Sequence, residues 1–429
     1  MEIETGSWHD ALEYAAGTDV GMRRGNNQDA RVVALAGSRG HWERRGHLLA
    51  VADGMGAHAA GELASQMAVE NVPHTYNKLV RLPPSVALRR AVLESNRLIH
   101  LKGETSVGFH GMGTTCSALL LLSDGAIVAH VGDSRVYRLR GESLDQLTFD
   151  HSLVWELAEA GRVPEEDVPQ FVPKNVITRS LGPHVTVDVD LEGPHPVQAG
   201  DTYLLCSDGL TGPVKDIEIG TILACLPPKE AVQALIDIAN LRGGPDNITA
   251  IVARVDRVEA RPRAADSDEM EVIDRVHGSV HPAVFGIGVI LLVLALTLAA
   301  LGKWMAAIAA GGGLVIAAII ALLQRMERPQ EASTVGGPLG RGPYRTHDCS
   351  ASKTTVGALA EITHELREVA KTPGWEIDSS GFESHCEKAQ SASDQGDHTA
   401  AVSQYCTAIR HMMDQVRDQR TGAEDSNIF

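Results

Sequence analysis

Residues 48–56 read Leu-Leu-Ala-Val-Ala-Asp-Gly-Met-Gly, an apolar strand pattern that stops on a carboxylate beside a glycine. The same design recurs at Tyr203–Cys206 running into Ser207-Asp208-Gly209, and at Ile127–Val131 running into Gly132-Asp133-Ser134-Arg135. In two further places the acid precedes the strand. Asn26-Asn27-Gln28-Asp29 leads into RVVALA, and Gly243-Gly244-Pro245-Asp246-Asn247 leads into ITAIVARV. One Asp-Gly is most simply a turn. Five acids abutting apolar strands are another matter, because a carboxylate at a buried strand tip is held rigidly with backbone carbonyls beside it. Convergence of several would make an oxygen-rich cage whose charge is tolerable only around divalent cations. Oxygen donors without His or Cys at matching spacing favour Mg²⁺ or Mn²⁺ over Zn²⁺.

In order, the chain carries TDVGMRRGNNQDA, VADGMGAHAAGELAS, GMGTTCSALL, HVGDSRVYRLR, LTFDHSL, TRSLG, LLCSDGLTG and GGPDNITAIV. This series resembles the PP2C family of metal-dependent protein serine/threonine phosphatases in its bacterial form, over about residues 14–256. The resemblance implies an α+β fold: a four-layer α-β-β-α sandwich, two antiparallel sheets flanked by helices. It also implies two Mn²⁺ or Mg²⁺ ions bridged by Asp53, with the Gly54 carbonyl as a further ligand and Asp208 and Asp246 completing the site. Asp133, with Asp208, would hold a third ion. Asp29 would organise metal-bound water, Asn247 would stabilise such waters, and Arg24 would grip the substrate phosphate. The arginine fork suits phosphate oxygens, although Arg23 and Arg24 in a glycine-rich turn could also simply be solvated.

Three positions depart from the family pattern. Gln28 stands in place of a glutamate, which removes one negative charge near the ions. Met55 stands where animal members carry a histidine able to act as general acid, as it does in bacterial relatives. Ala57 replaces a glycine. Residues 165–176 resemble the variable flap beside the site in bacterial members, and His151 reads as part of a helix N-terminal turn.

Composition narrows the function classes. A net charge of −17 without a basic stripe argues against nucleic-acid binding. Six cysteines with no CxxC pair suit a reducing compartment. Met1–Ala16 has no basic region followed by an apolar run, so no signal peptide is expected there.

Beyond a phosphatase-like region at 14–258 and a charged linker at 259–282, residues 284–301 (VFGIGVILLVLALTLAAL) and 304–323 (WMAAIAAGGGLVIAAIIALL) are free of charge. At about 1.5 Å rise per residue each can span the roughly 30 Å hydrocarbon core of a bilayer. The spacing predicts a transmembrane hairpin over 283–323. Arg275, Arg325 and Arg328 flank it against Lys303 at the tip, which places both flanks in the cytosol of a cell-membrane protein. A linker at 324–354 precedes a helical tail at 355–420. The tail's last two helices resemble a single tetratricopeptide-type unit, available to bind a protein.

Two functional readings follow. One is an active phosphatase acting on phosphorylated proteins, opposed to bacterial serine/threonine kinases. The other is a weak or inactive phosphoprotein-binding membrane scaffold.

Overall fold

The computed structural model describes residues 1–56, 59–105, 107–161, 172, 176–258, 300–302, 339–370 and 378–426. The chain divides into two compact units, Met1–Arg261 with Pro338–Phe429, and Pro262–Gly337. The second lies almost wholly outside the described residues, as do both halves of the expected hairpin and most of the expected flap. Among the described residues no helix is long and apolar enough to cross a membrane.

Two antiparallel sheets form the centre of the first unit. The larger joins β1 (Glu2–Trp8), β2 (Leu12–Asp19), β12 (Ile248–Val255), β11 (Thr202–Cys206), β8 (Arg135–Arg140), β9 (Ser143–Gln146) and β13 (Arg345–Asp348), in that spatial order. The smaller runs β10 (Asp190–His195), β7 (Gly125–Val131), β6 (Cys116–Leu122), β4 (His47–Met55) and β3 (Asp29–Ala34), with β5 (Gly113–Thr114) paired to β4.

The central strands are buried on both faces, which is why they read as unbroken apolar runs. Successive side chains point to opposite faces, so each strand feeds two cores. On β4, Leu49 and Val51 enter the core between the sheets, where Tyr203 and Leu205 of β11 meet them. Leu48, Ala50 and Ala52 face outward against α2 (Ala59–Lys78) and α3 (Pro84–Thr105). Leu204 and Cys206 face the opposite outer layer, with α6 (Asp216–Cys225) and α7 (Pro228–Leu241). Three short helices, α1 (Arg39–Arg45), α4 (Leu153–Gly161) and α5 (Asp208–Thr211), fill sheet connections. The four-layer arrangement is the one expected.

Element boundaries differ at both ends of the chain. The fold begins at Glu2 rather than residue 14, because β1 pairs with β2 from Glu2↔Thr18 to Trp8↔Leu12. The stretch read as a linker at 324–354 contains β13, which pairs with β9 from Arg345↔Gln146 to Asp348↔Ser143. The tail forms α8 (Lys353–Ala370), α9 (Ser380–Asp394) and α10 (His398–Ser426). Its apolar face is not left for a partner. Leu359, Ile362, Phe382, Tyr405 and Ile409 share one core with Ile222, Leu235 and Ile238 of α6 and α7. A helical pair cannot bury its own stripe, and here the stripe meets the outer layer of the sandwich.

The tail is also pinned by charge. Asp237 projects from α7 with no exposed side-chain surface and pairs with Arg417 of α10. Removing one partner of such a pair strands a buried charge, at about 3–5 kcal/mol. Arg417→Met should therefore lower urea-unfolding stability by about 3 kcal/mol, and the double variant Asp237→Asn with Arg417→Met should recover part of it.

Candidate metal and phosphate site

Strand direction gathers the acids at one end of the sandwich. Asp29 opens β3 opposite Asp53 near the end of β4. Cys206 of β11 pairs with Ala250 of β12, so Asp208, just beyond β11, lies at the end where Asp246 precedes β12. Ile248 pairs with Asp19 of β2, which brings residues 20–28 to the same end. Cys116 of β6 pairs with Val131 of β7, and Val51 of β4 with Ser117, so Asp133 emerges beside Asp53.

Asp53 is fixed through its backbone. Its N–H donates to Thr115 Oγ1 at 2.8 Å, and its carbonyl accepts from Thr115 N–H and Thr114 Oγ1, each at 2.9 Å. Thr115 Oγ1 in turn lies 2.8 Å from Ser134 Oγ, next to Asp133. Gly54 is required sterically. A Cβ there would sit 2.5 Å from the Gln28 carbonyl oxygen and closer still to that of Gly61. Gly54→Ala is expected to destabilise the fold by about 2–4 kcal/mol in urea unfolding and to displace the Gly54 carbonyl.

Charge repulsion and burial act together on the cluster. Burial, then the charges of Asp29, Asp208, Asp133 and Asp246, raise the Asp53 carboxyl well above its ordinary range. Burial pushes Asp29 up to about 7, despite a 2.7 Å hydrogen bond from Ser207 Oγ, with Asp208 and Asp246 adding to the rise. Burial and the Asp208 charge push Asp133, which is 8% exposed, up to about 8. Asp208 is raised by burial and by Asp246, offset in part by a hydrogen bond with Asp53.

The donor set fits hard divalent cations. Asp29 Oδ1, Asp133 Oδ1 and Asp208 Oδ1 are buried without a hydrogen-bond partner, and every candidate ligand is an oxygen. Among the described residues no three acidic, His or Cys side chains are grouped as a ready ion-binding set. Asp208 hydrogen-bonds Asp53, and Asp246 Oδ2 accepts from Arg24 Nη2 at 2.6 Å.

Arg24 thus sits at the site, paired to a proposed ligand, with its side chain 51% exposed. Asn247 bonds the backbone on both sides of its amide. Its Nδ2 donates to the Val20 and Asn26 carbonyls, both at 2.9 Å, and its Oδ1 accepts from Gln28 N–H at 2.8 Å. With these bonds made, the amide is a clamp on the loop that carries Arg24. Gln28 points Nε2 towards the Gly56 carbonyl at 3.5 Å.

Several supporting residues escaped the sequence reading. Thr114, Thr115 and Ser207 hold the acids, and hydroxyls adjoining Asp-Gly or facing it across a strand pair were the available signal. Arg135 binds Asp150 through Nε and Nη2, the latter at 2.7 Å. His151 is buried and structural, as its place before a helix indicates. Its Nδ1 accepts from Gly132 N–H at 3.0 Å, so Nε2 carries the proton toward Asp190 Oδ2 at 2.9 Å.

Known proteins share this framework. Residues 23–222 match the family model described as protein phosphatase 2C. The serine/threonine protein phosphatase PstP of Mycobacterium tuberculosis is 39% identical over 244 residues, 57% of this chain and 45% of that protein. The chain thus spans under half the length of this relative. The serine/threonine phosphatase stp of Listeria monocytogenes is 38% identical over 246 residues, 56% of this chain and 94% of the relative. A crystal structure of the M. tuberculosis PstP aligns with a TM-score of 0.51 at 39% identity, covering 58% of this chain and 100% of that one. The PstP catalytic domain, 38% identical with a TM-score of 0.49 over 57% of this chain and 98% of its own, has been solved in complex with two manganese ions. With 94% of the Listeria phosphatase covered at 38% identity, the chain belongs to the protein phosphatase 2C family.

Proposed function

We propose that this chain is a phosphoprotein phosphatase that hydrolyses phosphoserine and phosphothreonine with Mn²⁺ or Mg²⁺. One observation carries the reading: acids from five separate stretches of sequence sit at one end of the sandwich, where burial and then neighbouring carboxylate charge raise Asp29, Asp53, Asp133 and Asp208. Asp53, Asp208 and Asp246 with the Gly54 carbonyl would hold two ions, and Asp133 with Asp208 a third. Ions held there would supply activated water for in-line attack on phosphorus and charge to offset that of the phosphoryl group.

The chain's own residues do the rest. Asn247 and the Val20–Gln28 loop set the position of Arg24, whose exposed guanidinium is free to exchange Asp246 for phosphate oxygens. Thr115 locks the backbone of Asp53, and Ser207 orients Asp29. Met55 offers no proton, so water or another group must protonate the leaving seryl or threonyl oxygen.

Arg24→Ala is expected to raise KM for a phosphothreonyl peptide about tenfold to a hundredfold, the loss of a charge-assisted hydrogen bond or two. Mn²⁺ uptake should stay intact. The central test is hydrolysis of that peptide by the full chain with Mn²⁺, abolished by a chelator. A folded, manganese-loaded protein without turnover would instead support a phosphoprotein-binding scaffold. That outcome has a specific motive in Gln28, which lacks the charge of the family glutamate.

Two helices within residues 283–323 anchor the enzyme at the cytosolic face of a membrane in this reading. The support is their charge-free length and the arginines on both flanks. Anchoring would concentrate the enzyme near membrane-bound phosphoproteins. Deleting 284–323 should move the protein from the membrane fraction to the soluble one, and no redistribution would sink the anchor.

A further inference from the structure

Leu339–Cys349 lies beyond the region matched by the family model, yet it reaches both sheets. Gly193 N–H, within β10, donates to the Leu339 carbonyl at 3.0 Å. Buried Glu192 of the same strand accepts from Gly342 N–H at 2.8 Å and from the Tyr344 hydroxyl at 2.6 Å. From there the chain enters β13 on the edge of the other sheet.

At that edge it contacts the surroundings of Arg135, the residue two positions after Asp133. Tyr344 N–H donates to the Gln146 carbonyl at 2.9 Å, and Gln146 Nε2 donates to Asp150 Oδ1 at 2.9 Å. The Tyr344 ring packs on Phe149 with centroids 5.5 Å apart. The Arg345 guanidinium lies 4.0 Å from the centroid of Trp155, a ring that Arg135 also approaches at 5.5 Å. His347 Nε2 is 3.2 Å from Asp216 Oδ2, and Arg135 Nη1 is 3.5 Å from Asp216 Oδ1. Of the partners of the Arg135 guanidinium, Trp155 and Asp216 are touched by this segment directly and Asp150 through Gln146, while the Tyr137 hydroxyl is not among its contacts named here.

We propose that Tyr344–His347 forms a positioning strap. By holding Gln146, Trp155 and Asp216 it fixes the Arg135–Asp150 pair, and through that pair the Gly132-Asp133 turn at the cation cluster. The strap rests on the phosphatase reading and assigns to it a residue set outside the matched domain. Arg345 and His347 are positioning residues, since neither reaches Asp133 itself. The ion served by Asp133 should be the one affected, while those at Asp53, Asp208 and Asp246 bind as before.

The test is Mn²⁺ titration of the full chain followed by electron paramagnetic resonance, with Arg345→Met and His347→Gln as separate variants and Arg345→Lys as the conservative control. Each of the first two is expected to weaken about tenfold the Mn²⁺ site that Asp133→Asn removes and to leave the others in place. Arg345→Lys, which keeps a cation over Trp155, should restore it. A purely structural strap would lower the melting temperature without moving the isotherm. Coincident isotherms for wild type and both folded variants would overturn the proposal. Should the wild type take up no Mn²⁺ at all, the phosphatase reading fails instead. If either single variant does not fold, the other carries the same test.

Discussion

Asp208→Asn is expected to lower kcat/KM by about a thousandfold or more, consistent with loss of an ion-binding carboxylate, and at the same time to make the ion-free protein more stable. The two effects share a cause. Asp208 lies half-buried just beyond β11, hydrogen-bonded to Asp53 and subject to the charge of Asp246. With ions bound, the carboxylate supplies charge that an amide cannot. Without them, it adds to a repulsion that already raises Asp29, Asp53 and Asp133. An amide of the same shape removes that repulsion. Each kcal/mol recovered would appear as about 2–4 °C in a domain of this size. The measurement is thermal unfolding in a chelator beside turnover with Mn²⁺. A variant that loses activity and also melts lower than wild type without ions would contradict this account.

The second large effect is on pH. Asp29 at about 7 and Asp133 at about 8 hold protons in the folded state that the unfolded chain releases near pH 4. Stability from these groups is therefore fully present below their unfolded values and lost as pH rises through 7 and 8. Two buried histidines act in the opposite sense at lower pH. Burial depresses His47 to about 4 and His130 to about 3. Both stay neutral in the fold while the unfolded chain takes up protons below about pH 6.5. Between roughly pH 4 and 6.5 the two sets oppose each other. From 6.5 to 8 only the acids remain, so the melting temperature of the chelated protein should fall across that interval. Saturating Mn²⁺ should reverse the trend, because binding requires the ionised carboxylates and a hundredfold excess over Kd adds about 2.7 kcal/mol. A flat melting profile from pH 6.5 to 8 in chelator would show that the acids do not repel one another as described.

The acids were legible because their signal is local: an apolar run that stops at Asp beside Gly. Helices α2, α3 and α8 were legible from their 3.6-residue period. What escaped was non-local or polar. The four residues of β13, Arg-Thr-His-Asp, carry no strand pattern, and their partner lies about two hundred residues earlier. Strand β1 is an exposed edge without alternation. The backbone partners of Asn247, two carbonyls and an amide, leave no trace in a sequence. Docking of the tail did leave one. Asp237 interrupts the apolar stripe ALIDIANL of α7, and a charge at such a position calls for a cation from elsewhere in the chain.

Strand β13 lies in one sheet with strands made before residue 256, although residues 259–338 intervene. The polypeptide must therefore leave and re-enter this domain in the same compartment. Whatever barrier the intervening stretch traverses, it has to come back. An odd number of crossings would strand Arg345–Asp348 on the wrong side and leave β9 with a bare edge.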